Sequence, residues 1–125
     1  MQLLATILTA LVAIEHLYIL YIEMFAWDTL GAKVFKDTLP QDLFPKTKGL
    51  AANQGLYNGF LSAGLGWTFL IAEAEWAFNI RVFFLCLVIV AATFGAVRSS
   101  RNILLKQGLP AIFALIATLV DYMQR

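Results

Sequence analysis

Seven side chains that can carry charge or hydrogen-bond, Glu15, His16, Glu23, Asn53, Gln54, Asn58 and Gln107, sit inside stretches that are otherwise largely apolar. His16 and Glu23 both exchange protons, so together they could serve as a general acid and base or as a proton relay. The amides of Asn53, Gln54, Asn58 and Gln107 each donate and accept, which suits them to orient a bound molecule. Spacing sorts these groups further. His16 and Glu23 lie on one helical stripe at about 3.6 residues per turn, Trp27 continues it, and Glu15 is turned about 100° away toward a different neighbour. Gln54 and Asn58 share a second stripe with Leu61 and Leu65, flanked by Asn53 and Tyr57.

The elements that must carry these side chains are four apolar segments, residues 3–27, 50–72, 78–97 and 103–122. Each meets the roughly 20 apolar residues with which a helix crosses about 30 Å of hydrocarbon. Composition agrees: 61% of the chain is hydrophobic and 14% charged, against about 45–50% and about 25% in soluble domains. A chain this short cannot hide that much apolar surface from water. The reading is an all-α polytopic membrane protein, a single four-transmembrane-helix bundle over residues 1–125, with no linker and no low-complexity segment. A net charge of +1, with basic residues scattered among loops, argues against nucleic-acid binding. The lone Cys86 excludes an intrachain disulfide and a cysteine-rich metal site. No Lys or Arg precedes Lys33, so the first segment reads as a retained helix and not a signal sequence, whose start is positive.

Basic residues also orient the bundle. Lys33, Lys36, Lys46 and Lys48 lie between the first two segments, and Arg98, Arg101 and Lys106 surround the turn between the last two. These two loops share a face in a four-span protein, and that face is expected to be cytoplasmic, leaving both termini outside in a bacterial inner membrane. Arg81 is expected to snorkel outward near Glu73 and Glu75, with Asp121 spaced to pair with Arg125. The first loop is long, and its Pro40 and Pro45 exclude a continuous helix. Leu39, Leu43 and Phe44 predict a segment lying on the membrane surface or folded against the bundle mouth, as an anchor or as a lid.

At the depth of that loop face, all four segments offer polar groups: Glu23 and, deeper, His16; Gln54 and Asn58; Thr93; and Gln107. An ionisable group facing lipid costs on the order of 2.5–3.5 kcal/mol, so Glu15, His16 and Glu23 should face inward or find partners. One buried amide would be interhelical glue contributing only about 0.6 kcal/mol; seven polar groups in one half of the bundle point to a pocket. A metal is not expected, because Glu15, His16 and Glu23 diverge in phase and a structural zinc site wants three or four close ligands. Ala51, Gly55, Gly59 and Ala63 form a small-residue stripe, expected on a different face from Gln54 and Asn58, that admits close approach of a neighbouring helix, within the bundle or in a homodimer.

Four runs, His16-Leu-Tyr-Ile-Leu-Tyr-Ile-Glu23-Met-Phe-Ala-Trp27, Ala52-Asn-Gln-Gly-Leu-Tyr-Asn-Gly-Phe-Leu61, Val88-Ile-Val-Ala-Ala-Thr-Phe-Gly95-Ala and Gln107-Gly-Leu-Pro110-Ala, resemble the bacterial membrane family known as domain of unknown function 1304. The second run is the most specific, an Asn-Gln-Gly-x-Tyr-Asn-Gly pattern inside an apolar helix. The third departs from the pattern: Gly95-Ala is followed by Val97 and Arg98 where a threonine is expected. The resemblance implies a small four-helix inner-membrane protein and no activity. It places motif positions at His16, Glu23, Trp27, Asn53, Gln54, Tyr57, Asn58, Gln107 and Pro110.

Three function classes follow. The first is a protein that binds or transports a small amphipathic molecule or a proton-coupled solute, with His16 and Glu23 titrating and the amides orienting the ligand. The second is an intramembrane enzyme with a His–Glu acid–base pair acting on a lipid, quinone or isoprenoid-like substrate, although no nucleophile or cofactor motif accompanies it. The third is a structural subunit of a membrane complex. No cofactor is implied by any motif in the chain.

Overall fold

A computed structural model describes residues 1–125. It is helical throughout, with four long helices: α1, Gln2–Phe25; α2, Lys48–Trp67; α3, Ala74–Arg98; and α4, Arg101–Met123. They follow the four apolar segments, with boundaries set by local chemistry. The first helix stops where Ala26 leaves helical geometry (φ −140°, ψ 30°), so Trp27 lies in a wide π-helical turn, Trp27–Gly31. The second stops at Trp67 and not near Ala72, because Thr68 turns its hydroxyl back to the Leu65 carbonyl at 2.6 Å and the chain tightens into a turn. Within α4 the segment Leu104–Gly108 widens into a π turn just before Pro110. Pro110 has no N–H to offer, and its ring would crowd the carbonyl four residues back in a regular helix.

Helices α1, α3 and α4 are each long and apolar enough to cross a membrane, while α2 is not among them. Lys48, Asn53, Gln54, Asn58 and its glycines make α2 less apolar. The four pack as a ring, α1 on α2 and α4, and α3 on α2 and α4. Neighbours run antiparallel, as Ser62 Oγ bonding the Ala13 carbonyl and Asn58 bonding Glu23 require for α1 and α2. Val12, Ala13, Leu65, Leu85, Val88, Ala111 and Ala114, drawn from all four helices, form the central core. The outside of the ring is apolar too: Leu3 is 73% exposed, Val90 66% and Phe94 67%. So largely apolar an exterior suits lipid better than water.

Two contacts set how closely the helices approach. A Cβ at Gly55 would come within 2.7 Å of Met24 Cγ and 3.3 Å of the Leu20 carbonyl oxygen, so this glycine is what lets α2 lie against α1. One at Gly108 would meet Leu104 Cδ1 at 2.6 Å and Ala92 Cβ at 3.3 Å, where α4 touches α3.

The connector between α1 and α2 is a folded cap. Ile22, Trp27, Phe44 and Ala51 form a second small core, with Leu30, Phe35 and Leu39 packed around it. Trp27 is its pivot, with ring centroids 4.9 Å from Phe44 and 5.7 Å from Phe35. Its indole N–H donates to Thr47 Oγ1 at 2.9 Å, and Thr47 in turn donates to the Leu43 carbonyl at 2.8 Å.

Candidate functional site

The polar residues of α1 divide between its two neighbours. Glu23, buried, accepts a hydrogen bond from Asn58 Nδ2 on α2, the amide partner that depth and phase predict. Asn58 also donates to the Gln54 carbonyl at 3.2 Å. His16, only 1% exposed, is held through Nδ1 and the Val12 carbonyl at 2.9 Å. A carbonyl oxygen only accepts, so Nδ1 carries the proton there. His16 and Glu23 share a stripe and are separated by about 10 Å of helix rise, and each makes its hydrogen bond elsewhere. The α1–α2 face is thus tightly packed and hydrogen-bonded, with Ser62 Oγ donating to the Ala13 carbonyl at 2.8 Å.

Glu15 faces the other neighbour, α4. Its Oε1 is buried and has no hydrogen-bond partner. It lines a cleft of about 330 Å³ between α1, the cap and α4. Tyr18, Ile19 and Ile22 supply the α1 wall, Val34 and Phe35 the cap wall, and Lys106 and Gln107 the α4 wall. A second cavity of about 260 Å³ shares Val34, Phe35, Lys106 and Gln107 with the first and opens between the cap and the α3–α4 turn. Its rim carries Lys33, Lys36, Asp37 and Asn102, so that with Lys106 the lysines outnumber the one carboxylate. Together the two hollows run from a basic, amide-bearing mouth to an apolar recess with one carboxylate in its wall. The π turn of α4 positions this mouth, because Lys106 and Gln107 both lie within it.

Of the sequence candidates, then, Glu23 and Asn58 meet each other, Gln107 and Glu15 line the same cleft, and His16 is buried against its own helix. Asn53, Gln54 and Tyr57 are exposed on α2, away from the α1 contact. Thr93 is exposed on α3, where its hydroxyl donates to the Ile89 carbonyl at 2.7 Å, so α3 adds no polar group to the cleft. Trp27 belongs to the cap core. In the small-residue stripe Ala51 and Gly55 are buried, Gly59 is half-buried and Ala63 is exposed. The stripe lies on the same side of α2 as Asn58, and not on a separate face, since Gly55, Gly59 and Asn58 all meet α1. Besides Tyr18, Ile19 and Ile22 of α1, sequence reasoning leaves out the cleft residues Lys106, Val34 and Phe35. Their signal was the basic loop content and the apolar residues of the cap, which spacing alone does not connect to Glu15. No three His, Cys, Asp or Glu side chains converge as a metal site would need.

The fold and these clefts define a small all-helical protein of membrane-like character, with the two carboxylates of one helix turned toward two different neighbours. The chain belongs to the family described as "Protein of unknown function (DUF1304)", whose model matches residues 10–119. It is similar to the uncharacterized protein YpaA of Lactococcus lactis subsp. lactis (strain IL1403), with 34% identity over 119 residues, covering 94% of this chain and 98% of that protein. No solved structure matches it.

Proposed function

We propose that the chain is a four-helix transmembrane bundle of the bacterial inner membrane that binds a small amphipathic molecule in the Glu15 cleft, for storage, transfer or transport. The observation that carries this reading is Glu15 Oε1, a buried acceptor without a partner in the wall of a largely apolar cleft. An unsatisfied buried polar atom costs about 1–3 kcal/mol, and a bound donor such as a hydroxyl or amine removes that cost. The lysines at the mouth favour a ligand whose exposed end is polar or anionic. In this reading helix α2 joins the other three as a span: its 20 residues suffice in length, Asn58 and Ser62 bond α1, and the exposed amides Asn53 and Gln54 lie within about two turns of its N-terminal end.

In this reading the basic cap and α3–α4 turn face the cytoplasm and both termini lie outside. Cysteines placed at positions 36 and 99 of a Cys86→Ala background should be shielded from impermeant reagents in intact cells, and one at position 75 should react. The reverse pattern overturns the orientation. For the cleft, the protein purified in mild detergent is extracted and its small molecules identified by mass spectrometry, wild type beside Glu15→Leu. A species that is retained by the wild type and lost from the variant supports the reading; identical extracts overturn it. An intramembrane His–Glu enzyme is less well supported, since His16 and Glu23 are each hydrogen-bonded apart from the cleft.

A further inference from the structure

The opposite end of the bundle carries a further cavity, of about 310 Å³, lined by three helices, the α2–α3 turn and the C-terminal residue: Thr6 of α1, Phe69 of the turn, Arg81 of α3, Asp121 of α4 and Arg125. Arg81 is its unusual member. Sequence spacing sends it outward toward Glu73 and Glu75, yet it forms an ion pair with neither, and both are exposed. It turns inward instead, with its guanidinium carbon 5.3 Å from the centroid of the Phe69 ring. Its Nε is buried and lacks a hydrogen-bond partner. The carboxylate in the same cavity, Asp121, is occupied by Arg125 at 2.9 Å. The side chains lining the cavity thus include two guanidinium groups and one carboxylate, and the buried donor without a partner belongs to Arg81.

The geometry points to a phosphate-binding site at this end of the bundle, independent of the Glu15 cleft. An arginine presents five N–H donors in a planar fork that matches the oxygens of a phosphate group, and it remains charged in every ordinary environment. Placing such a group about two turns inside an apolar helix is costly unless an anion compensates it. The Phe69 ring flanks the guanidinium in a cation–π contact, which uses none of its N–H donors. A phosphate here comes from one of two sources, the headgroup of an anionic phospholipid entering from the membrane surface, or free inorganic phosphate.

Two arms distinguish the sources, both on the intact protein in detergent. Native mass spectrometry compares binding of phosphatidylglycerol with that of a diacylglycerol of the same chains. Thermal unfolding compares sodium phosphate with sodium chloride at equal ionic strength. A preference of about tenfold for the phosphate-bearing species, lost in Arg81→Gln, is expected from one charge-assisted contact. If it is found with phosphatidylglycerol the site takes a lipid headgroup; if with inorganic phosphate it takes the free anion. No preference in either arm, or one undiminished in Arg81→Gln, overturns the site. Should Arg81→Gln not fold, Arg81→Lys replaces it, keeping charge and losing the fork. A reduced preference in Arg81→Lys supports the site, and an undiminished one overturns it.

Discussion

Two faces of one helix carry carboxylates and treat them in opposite ways. Where α1 meets α2, Gly55 brings the backbones together, Ser62 bonds the Ala13 carbonyl, and Glu23 is satisfied by Asn58. Where α1 meets α4, there is a cleft, and the Glu15 oxygen buried in its wall has no partner. The chemical group is the same, so the difference lies in what surrounds it. A satisfied buried network rigidifies and specifies the fold, whereas an unsatisfied one is a standing cost that makes sense where a ligand completes it. The α1–α2 face is architectural, and in the proposed function the α1–α4 face is the one that binds.

The harshest way to break the architectural face is to fill it. Gly55→Leu should cost about 3 kcal/mol or abolish the folded bundle, because its Cβ alone would meet Met24 at 2.7 Å and Glu23 Cβ at 3.0 Å. Gly49→Leu is the control, since nothing lies within 4 Å of a Cβ there. Denaturation in detergent, followed by circular dichroism, separates the two; equal stability would remove the claim that α1 and α2 are held by close approach.

Next in size is the polar pair on the same face. Glu23→Leu strands the Asn58 amide and should cost about 1–3 kcal/mol, while Glu23→Gln retains an acceptor oxygen and should lie within about 0.5 kcal/mol of wild type. A Gln variant as damaged as the Leu variant would mean that the charge of Glu23 matters, and would move Glu23 from the architectural to the binding side of the comparison.

How far the sequence anticipates this division depends on which coordinate is asked for. Position along each helix is legible, because hydropathy counts residues: the four helices match the apolar segments, and the Glu23–Asn58 contact follows from phase and depth. Position around the bundle is not, because periodicity gives each helix a face without naming its neighbour. Glu15 is thus visible as lying off the His16–Glu23 stripe, but nothing in the sequence says that α4 and the cap receive it. Thr93 and Gln54 have the right depth and the wrong azimuth. The early stop of α2 at Trp67 depends on a side-chain bond to the backbone from Thr68, which an apolar window does not register.

The binding face should respond with the opposite sign. Glu15→Leu removes a buried acceptor without a partner and adds apolar contact with Ile19 and Ile22, so ligand-free protein should be unchanged or stabilised by about 1 kcal/mol while the co-purified molecule is lost. Destabilisation comparable with that of Glu23→Leu would show that Glu15 is structural as well and would erase the distinction.

Thr93→Val sets the baseline for these comparisons. Thr93 lies at the depth of the polar groups, yet its side chain is exposed on α3 and its hydroxyl is already used by the Ile89 carbonyl of its own helix. Valine is nearly isosteric, the carbonyl it releases keeps its backbone position in the helix, and no residue of the cleft is touched. Stability should move by less than about 0.5 kcal/mol and the co-purified molecule should be retained in full. A loss of that molecule from Thr93→Val would extend the binding surface to the outer face of α3, where only lipid or another membrane protein could complete it, and the α1–α4 cleft would then be one part of a larger site.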